Sequence, residues 1–208
     1  MSLAQIREEI CHFGRSLFDR GYTHGTSGNI SVLLDDGRML VTPTNSSLGS
    51  LDPAALTLLD PDGRILDGLS PTKELPLHSA LYRSRGAARA IVHLHSTHSV
   101  AASMLHDLDP ADVFPPLTAY YLMKVGRTAL LPYFRPGDPR VAEAIDALQG
   151  TYSSILLANH GPVVSGLSLA EATAAIEELE QTAKLYLLVG HRDVKLLDDD
   201  EAKALRGN

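Results

Sequence analysis

Two histidines separated by a single leucine, His93 and His95, have the residue type and spacing most indicative of chemistry in this chain. They follow the apolar run at residues 90–92, whose β-branched side chains predict a buried strand. Side chains two residues apart on a strand point to the same face, so two imidazoles project together from a rigid backbone. Such a pair is half of a divalent metal site. Taken alone, it is equally typical of two hydrogen-bonded histidines at the end of a strand.

A third imidazole and a carboxylate are available to complete the site. His160 follows an apolar run and precedes a Gly-Pro turn, a setting that lets a side chain lean into a cleft. Glu74 lies upstream in a polar segment. Three imidazoles with a carboxylate suit Zn²⁺, with Mn²⁺, Co²⁺ or Fe²⁺ as alternatives by ligand type. Because a closed structural site leaves no room for substrate, three histidines with an open position indicate a catalytic metal.

Three short polar loops carry the chemistry of an anion pocket. Each combines hydroxyl or amide side chains with glycine or proline, and the third adds a cation. Any one of them is more typical of an ordinary turn, but three together favour one pocket for a small anion. The loops are Gly-Thr-Ser-Gly-Asn-Ile-Ser at residues 25–31, Thr-Pro-Thr-Asn at 42–45 and Ser-Pro-Thr-Lys at 70–73.

Composition narrows the class of protein. The 208 residues carry a formal net charge of −7, which argues against a nucleic-acid-binding surface. The lone Cys11 has no internal disulfide partner, and we find neither a signal peptide nor an apolar run of membrane-spanning length. These features predict a cytoplasmic protein. The length predicts a single domain over residues 1–208.

The elements that hold these residues are predicted to mix hairpins with helices. Helices are expected over residues 2–19, 74–84, 138–148 and 168–190, and strands over residues 30–34, 39–41, 56–59, 64–66, 90–95, 129–131, 154–158 and 163–164. The acidic run at residues 198–201 is expected to be a solvated tail. Since strict alternation of strand and helix is missing, the pattern argues against a Rossmann fold and predicts an α/β protein with a largely antiparallel sheet covered by helices.

Five motifs occur in the order and spacing of the class II aldolase/adducin family, which the chain resembles along nearly its whole length. They are Gly-Thr-Ser-Gly-Asn-Ile-Ser at residues 25–31, Thr-Pro-Thr at 42–44, Thr-Lys-Glu at 72–74 with His78, His-Leu-His at 93–95 and Ala-Asn-His-Gly at 158–161. The resemblance implies a three-layer α/β/α sandwich around a mostly antiparallel central sheet. It also implies a homotetramer with active sites between subunits.

The resemblance further implies a role for each candidate residue. His93, His95 and His160 match the metal ligands, and Glu74 matches an acid/base that can also contact the metal. The phosphate-binding loops of the family match Gly28, Asn29, Thr44, Thr72 and Lys73, whereas Asn45 stands where the aldolases often carry glycine. Tyr120 is the best match for a tyrosine that crosses from a neighbouring subunit, although Tyr121 is adjacent.

Within the family, the chain is most similar to enzymes that decarboxylate 3-oxo-tetronate 4-phosphates, on features that include Lys73 directly before Glu74 and the segments 48–53 and 133–138. The resemblance implies metal-dependent conversion of this substrate to dihydroxyacetone phosphate and CO₂ through a metal-stabilised enediolate, in four-carbon acid sugar catabolism. The main alternative is a sugar-phosphate aldolase or 4-epimerase. A scaffold protein like the adducin head domain and a metal-dependent hydrolase are further alternatives. The three histidines weigh against the scaffold, and the lack of H-E-x-x-H weighs against the hydrolase.

Overall fold

A central sheet of eight strands carries the candidate site residues at one of its ends. The computed structural model describes residues 1–206. The strands are β1 (Asn29–Leu33), β2 (Met39–Val41), β3 (Thr57–Leu59), β4 (Ile65–Asp67), β5 (Ala90–His93), β6 (Thr128–Leu131), β7 (Ser154–Leu157) and β8 (Gly161–Gly166). Their order is β4-β3-β2-β1-β5-β8-β7-β6. All neighbouring strands are antiparallel except the parallel pair β6 and β7.

Within residues 1–206, seven α-helices surround the sheet. They are α1 (Leu3–Asp19), α2 (Leu75–Ser84), α3 (Thr97–Ala102), α4 (Ala119–Lys124), α5 (Arg140–Ala147), α6 (Leu169–Val189) and α7 (Asp199–Arg206). Side chains alternate between the two faces of β5: Ile91 packs with α2 and α5, while Ala90 and Val92 pack with α1 and α6. The expected α/β/α sandwich with a mostly antiparallel sheet is confirmed. Within residues 1–206, no helix is long and apolar enough to cross a membrane.

A buried carboxylate on α6 anchors the first turn of α3, which begins two residues after His95. Glu180 accepts hydrogen bonds from the backbone N–H groups of His98 and Ser99, at 2.9 and 2.8 Å. It also accepts from the Ser99 hydroxyl at 2.7 Å. An acidic side chain at a helix N-terminus satisfies N–H groups that have no partner within the helix. This anchor fixes the backbone on the C-terminal side of His95.

Two elements differ from the expectation. The acidic run at residues 198–201 is exposed as expected, but it is not a tail, because it opens α7, where Ala202 is buried and Arg206 pairs with Asp112 at 3.0 Å. Acidic residues in a first helical turn and a basic residue in the last are favoured by the helix dipole. In addition, β5 ends at His93, so His95 lies just beyond the strand.

Candidate active site

Three imidazoles and one carboxylate converge at the end of β5. His93 ends that strand, His95 follows it, His160 lies in the turn between β7 and β8, and Glu74 directly precedes α2. Their nearest ligand atoms all lie within 4.8 Å of one another. Nε2 of His93 lies 3.2 Å from Nε2 of His95 and 3.3 Å from Nε2 of His160. The four residues predicted to form a metal site therefore do come together.

The cluster fits a divalent ion. Nitrogen ligands about 2.0–2.1 Å from a tetrahedral Zn²⁺ lie about 3.3 Å apart, which matches these separations. Nδ1 of His93 lies 2.8 Å from the carbonyl oxygen of Pro162 and donates to it. In the neutral ring this leaves the lone pair on Nε2, which faces the cluster.

The charges of the cluster also suit a cation. Burial raises the pKa of Glu74, but the adjacent His93 and His160 outweigh it and hold that pKa well below its usual range. Burial, with repulsion from the same two rings, lowers the pKa of His95 to about 3, so this imidazole keeps its lone pair at neutral pH. Burial alone would lower the pKa of His93, yet the Glu74 carboxylate raises it. An ionised carboxylate thus lies beside nitrogens that can bind metal.

The backbone beside His160 leaves no room for a side chain. A Cβ atom added to Gly161 would lie 2.3 Å from the carbonyl oxygen of Leu94 and 3.3 Å from Cα of His95. Real Cβ atoms do not approach backbone so closely. The glycine therefore allows the turn that carries His160 to pack directly against the segment that carries His95.

Replacing Gly161 by alanine is expected to separate these two segments and lower metal content. Relieving the overlap requires backbone movement, at a cost of roughly 1–3 kcal/mol in the free energy of unfolding. Metal analysis of the purified variant and its thermal unfolding measure both effects. Gly86→Ala is the matched control, since nothing lies within 4 Å of a Cβ added there. Full metal content in Gly161→Ala would contradict this reading of the turn.

The six predicted anion-binding residues line a single cleft of about 120 Å³, which also includes Glu74 and His95. Two of its loops are joined by backbone hydrogen bonds: Thr44 N–H donates to Ser70 O at 3.0 Å, and Thr72 N–H donates to Thr42 O at 3.1 Å. Asn45 has a φ of 58°. Asparagine tolerates this left-handed conformation better than most residues, which explains why it can stand where the aldolases often carry glycine.

Asn29 lies in this cleft with its side-chain amide already engaged. Its Nδ2 donates to Oε2 of Glu74 at 2.9 Å, and its Oδ1 lies 2.5 Å from Nε2 of His78. The amide therefore links the cleft to the acid/base candidate. Its contact with a phosphate stays a prediction.

The two adjacent tyrosines have different environments. Tyr121 is a core residue whose hydroxyl lies 3.2 Å from the Thr128 hydroxyl. Tyr120 has 64% of its surface exposed, and it does not line the clefts around His95. Of the two, only Tyr120 has the surface exposure that the predicted contact with another subunit requires. Its catalytic role stays a prediction.

A second, larger cleft on the other side of His95 was missed by the sequence analysis. It has a volume of about 600 Å³ and shares His95 and Pro136 with the polar cleft. Its remaining lining residues are His24, Thr97, Val100, Ala101, Met104, Tyr133, Asn159 and His160. In the sequence, the segment 133–138 served only to support the resemblance to the decarboxylases. Nothing in its local pattern indicated that Tyr133 and Pro136 border the site.

Comparison with protein families and known proteins finds similarity along nearly the whole chain. The family model described as "Class II Aldolase and Adducin N-terminal domain" matches residues 8–187. The 3-oxo-tetronate 4-phosphate decarboxylase of Escherichia coli K12 is 48% identical over 201 residues, covering 97% of this chain and 95% of the relative. The L-fuculose phosphate aldolase of Methanocaldococcus jannaschii is more distant, at 36% identity over 180 residues, 86% of this chain and 93% of the relative.

A solved structure has the same fold. The crystal structure of YgbL from Escherichia coli, described as a candidate aldolase, epimerase or decarboxylase, superposes with a TM-score of 0.95 at 46% identity. The match covers 99% of both chains. The similarity thus includes the whole sheet and every helix that holds the site.

Proposed function

The chain belongs to the class II aldolase and adducin family, and from that membership we propose that it is a metal-dependent lyase that decarboxylates 3-oxo-tetronate 4-phosphate. The observation that carries the proposal is the junction of a three-histidine cluster with a cleft lined by all six predicted phosphate-loop residues. The relatives named as decarboxylases are more similar to this chain than those named as fuculose-phosphate aldolases. This difference supports decarboxylation over aldol cleavage.

The substrate has a charged group at each end, and the two clefts offer a place for each. We assign the phosphate to the polar cleft, where Lys73 supplies a cation and Thr44 and Thr72 supply hydroxyls. The carboxylate then extends past His95 toward the larger cleft, whose walls include the apolar Val100 and Met104. An apolar wall solvates a carboxylate poorly and favours its departure as neutral CO₂.

The residues of the chain divide the chemistry between binding and proton delivery. His93, His95 and His160 are proposed to hold the divalent ion, which would supply Lewis acidity for the decarboxylation. The bond between C1 and C2 breaks, its electron pair enters the C2–C3 unit as an enediolate, and CO₂ leaves. Glu74, ionised before the reaction, is proposed to take up a proton from water in the open cleft and pass it to C2, which yields dihydroxyacetone phosphate.

Three finer assignments belong to the proposal. Zn²⁺ is the proposed ion because three imidazoles with an open position are typical of catalytic zinc, with Mn²⁺ and Co²⁺ as alternatives. A homotetramer is proposed from the family resemblance. Tyr120 is proposed as the residue that crosses to a neighbouring active site because it is exposed. A cytoplasmic location follows from the metabolic role proposed.

The decisive assay supplies D- and L-3-oxo-tetronate 4-phosphate to the metal-loaded protein and measures CO₂ and dihydroxyacetone phosphate. Equal amounts of the two products from one enantiomer are expected. If the protein instead cleaves fuculose 1-phosphate to dihydroxyacetone phosphate and an aldehyde, without decarboxylating either acid, it is an aldolase and the proposal is wrong.

Replacing Lys73 by alanine is expected to raise KM for the phosphorylated substrate by roughly 10–100-fold, since a hydrogen bond to a charged group contributes about 1.5–3 kcal/mol. Steady-state kinetics measure the change. Lys184→Ala, on the exposed face of α6, is the matched control and should leave KM unchanged. Equally efficient turnover of unphosphorylated 3-oxo-tetronate by the unsubstituted protein would rule out a phosphate role for this cleft.

A further inference from the structure

A line of buried polar side chains runs from Glu74 into the protein, between α2 and β1. Glu74, His78 and Tyr82 are spaced four residues apart, which places them on one side of α2 and its N-terminal end. Asn29 and Ser31 are two apart on β1 and point to the same face of the sheet. All five side chains are buried, and His78 and Ser31 have no exposed surface. We call Asn29, Ser31, His78 and Tyr82 the relay.

Residues of the strand and of the helix alternate along the relay. The Asn29 amide lies between Glu74 and His78, with the contacts of 2.9 and 2.5 Å given above. The Ser31 hydroxyl lies 2.7 Å from Nδ1 of His78 and 2.9 Å from the hydroxyl of Tyr82. One continuous chain of hydrogen bonds therefore joins the Tyr82 hydroxyl to a carboxylate oxygen of Glu74.

The chemistry of each group fixes the direction of every bond. The ionised Glu74 only accepts, so Asn29 presents its NH₂ to it and its carbonyl oxygen to His78. That oxygen requires a proton on Nε2 of His78. Burial lowers the pKa of this imidazole to about 3, so the ring is neutral and its Nδ1 accepts from Ser31. The serine oxygen in turn accepts from Tyr82, whose pKa burial raises well above the usual range.

We propose that His78, Ser31 and Tyr82 are positioning residues, which hold the Asn29 amide with its NH₂ toward Glu74 and so fix the carboxylate where it transfers the substrate proton. An asparagine amide has two orientations of nearly identical shape. The reversed one would set the amide oxygen against the carboxylate and two N–H donors against Nε2–H of His78. The Glu74 carboxylate and the Nε2–H tautomer of His78 therefore favour the same orientation, and the Ser31 hydroxyl stabilises that tautomer by donating to Nδ1. The inference rests on the proton-transfer role proposed for Glu74.

A positioning role predicts an effect on kcat rather than on binding. The three histidines proposed to bind the metal are not part of the relay. Lys73, the cation proposed to bind the phosphate, forms no hydrogen bond with His78, Ser31 or Tyr82 within residues 1–206. Loss of His78 or Ser31, neither of which lines the phosphate cleft or belongs to the metal cluster, should leave metal content and KM near their original values. The proton-transfer step alone should slow, because Glu74 is then less well oriented.

The first test compares His78→Leu with His78→Gln in protein loaded with its divalent ion. Leucine removes the donor to Asn29, and kcat is expected to fall roughly 10–100-fold while KM changes less than about threefold. The glutamine amide can again donate to Asn29, so most of kcat should return. Leu81→Ala, a buried change elsewhere on α2, controls for lost stability and should keep kcat near that of the unsubstituted protein.

Ser31→Ala serves as a second variant that barely changes core volume. It frees His78 to take the other tautomer, and a smaller fall in kcat, roughly 3–10-fold, is expected. The proposal is overturned if a folded His78→Leu protein keeps full kcat, if glutamine restores nothing, or if the loss appears in KM or metal content.

The second test needs no substrate. Nitrogen-15 NMR of the histidines in the zinc-loaded protein distinguishes the two neutral tautomers, and His78 is expected to carry its proton on Nε2. A proton on Nδ1, or on both nitrogens, would refute the relay even in an active decarboxylase. Conversely, an Nε2–H tautomer in a protein that releases no CO₂ would refute the proposed function and leave the hydrogen-bond arrangement standing.

Discussion

Replacing His95 by alanine is expected to abolish turnover and metal binding together while leaving the fold of the metal-free protein intact. The ring contributes one of three clustered Nε2 atoms, 3.2 Å from that of His93. Purified protein should contain about one divalent ion per chain, and the variant much less. Because a bound ion supplies several kcal/mol of charge stabilisation, we expect turnover to fall by more than about 10³-fold. Metal analysis and the CO₂ assay measure the two losses.

The fold should survive because His95 lies beyond the end of β5 and borders both clefts, outside the packed core. A bound ion stabilises the folded state by mass action, so the comparison of unfolding temperatures requires both proteins to be metal-free. His106→Ala is the matched control, since this exposed histidine is not part of the cluster and lines neither cleft. Full-strength turnover by a metal-free preparation of the unsubstituted protein would overturn the metal-dependent mechanism.

The parts of the site that follow local patterns could be predicted from the sequence. The spacing of His93 and His95 was read from the two-residue repeat of extended backbone, and the two rings do lie together although the strand ends at His93. His160 was found because an apolar run stops at a Gly-Pro turn, where strands commonly expose functional side chains. The polar loops were recognisable because hydroxyls, glycine and a cation together are typical of anion binding.

The parts that depend on long-range packing could not be predicted. Asn29 meets Glu74 only because α2 packs over β1, and 45 positions separate the two residues in the chain. A polar residue in a loop gives no sign of which partner it will find. Similarly, α7 has an acidic first turn that is typical of solvated chain, and only the contact of its buried face with the core identifies it as a packed helix.

Replacing Glu74 by glutamine should slow formation of the final product, dihydroxyacetone phosphate, without stopping the release of CO₂. Release of CO₂ from a 3-oxo acid needs no base to begin, whereas aldol cleavage requires removal of a hydroxyl proton. Both reactions then require a proton at the enediolate carbon, and a positioned acid typically contributes roughly 10²–10⁴-fold. Glutamine retains the shape of glutamate but supplies no carboxyl proton. We therefore expect formation of dihydroxyacetone phosphate to slow by roughly that factor.

In a single turnover, Glu74→Gln should still release measurable CO₂, and the enediolate should accumulate and react with an added oxidant. Metal content serves as the internal control, because Oε2 of Glu74 lies 3.2 Å from Nε2 of His93 and the carboxylate is therefore within reach of a bound ion. If CO₂ formation stops as completely as in His95→Ala, Glu74 acts as a metal ligand during turnover or as a base in the first step. Either result would also remove the basis of the relay, since its proposed purpose is to orient a carboxylate that transfers the final proton.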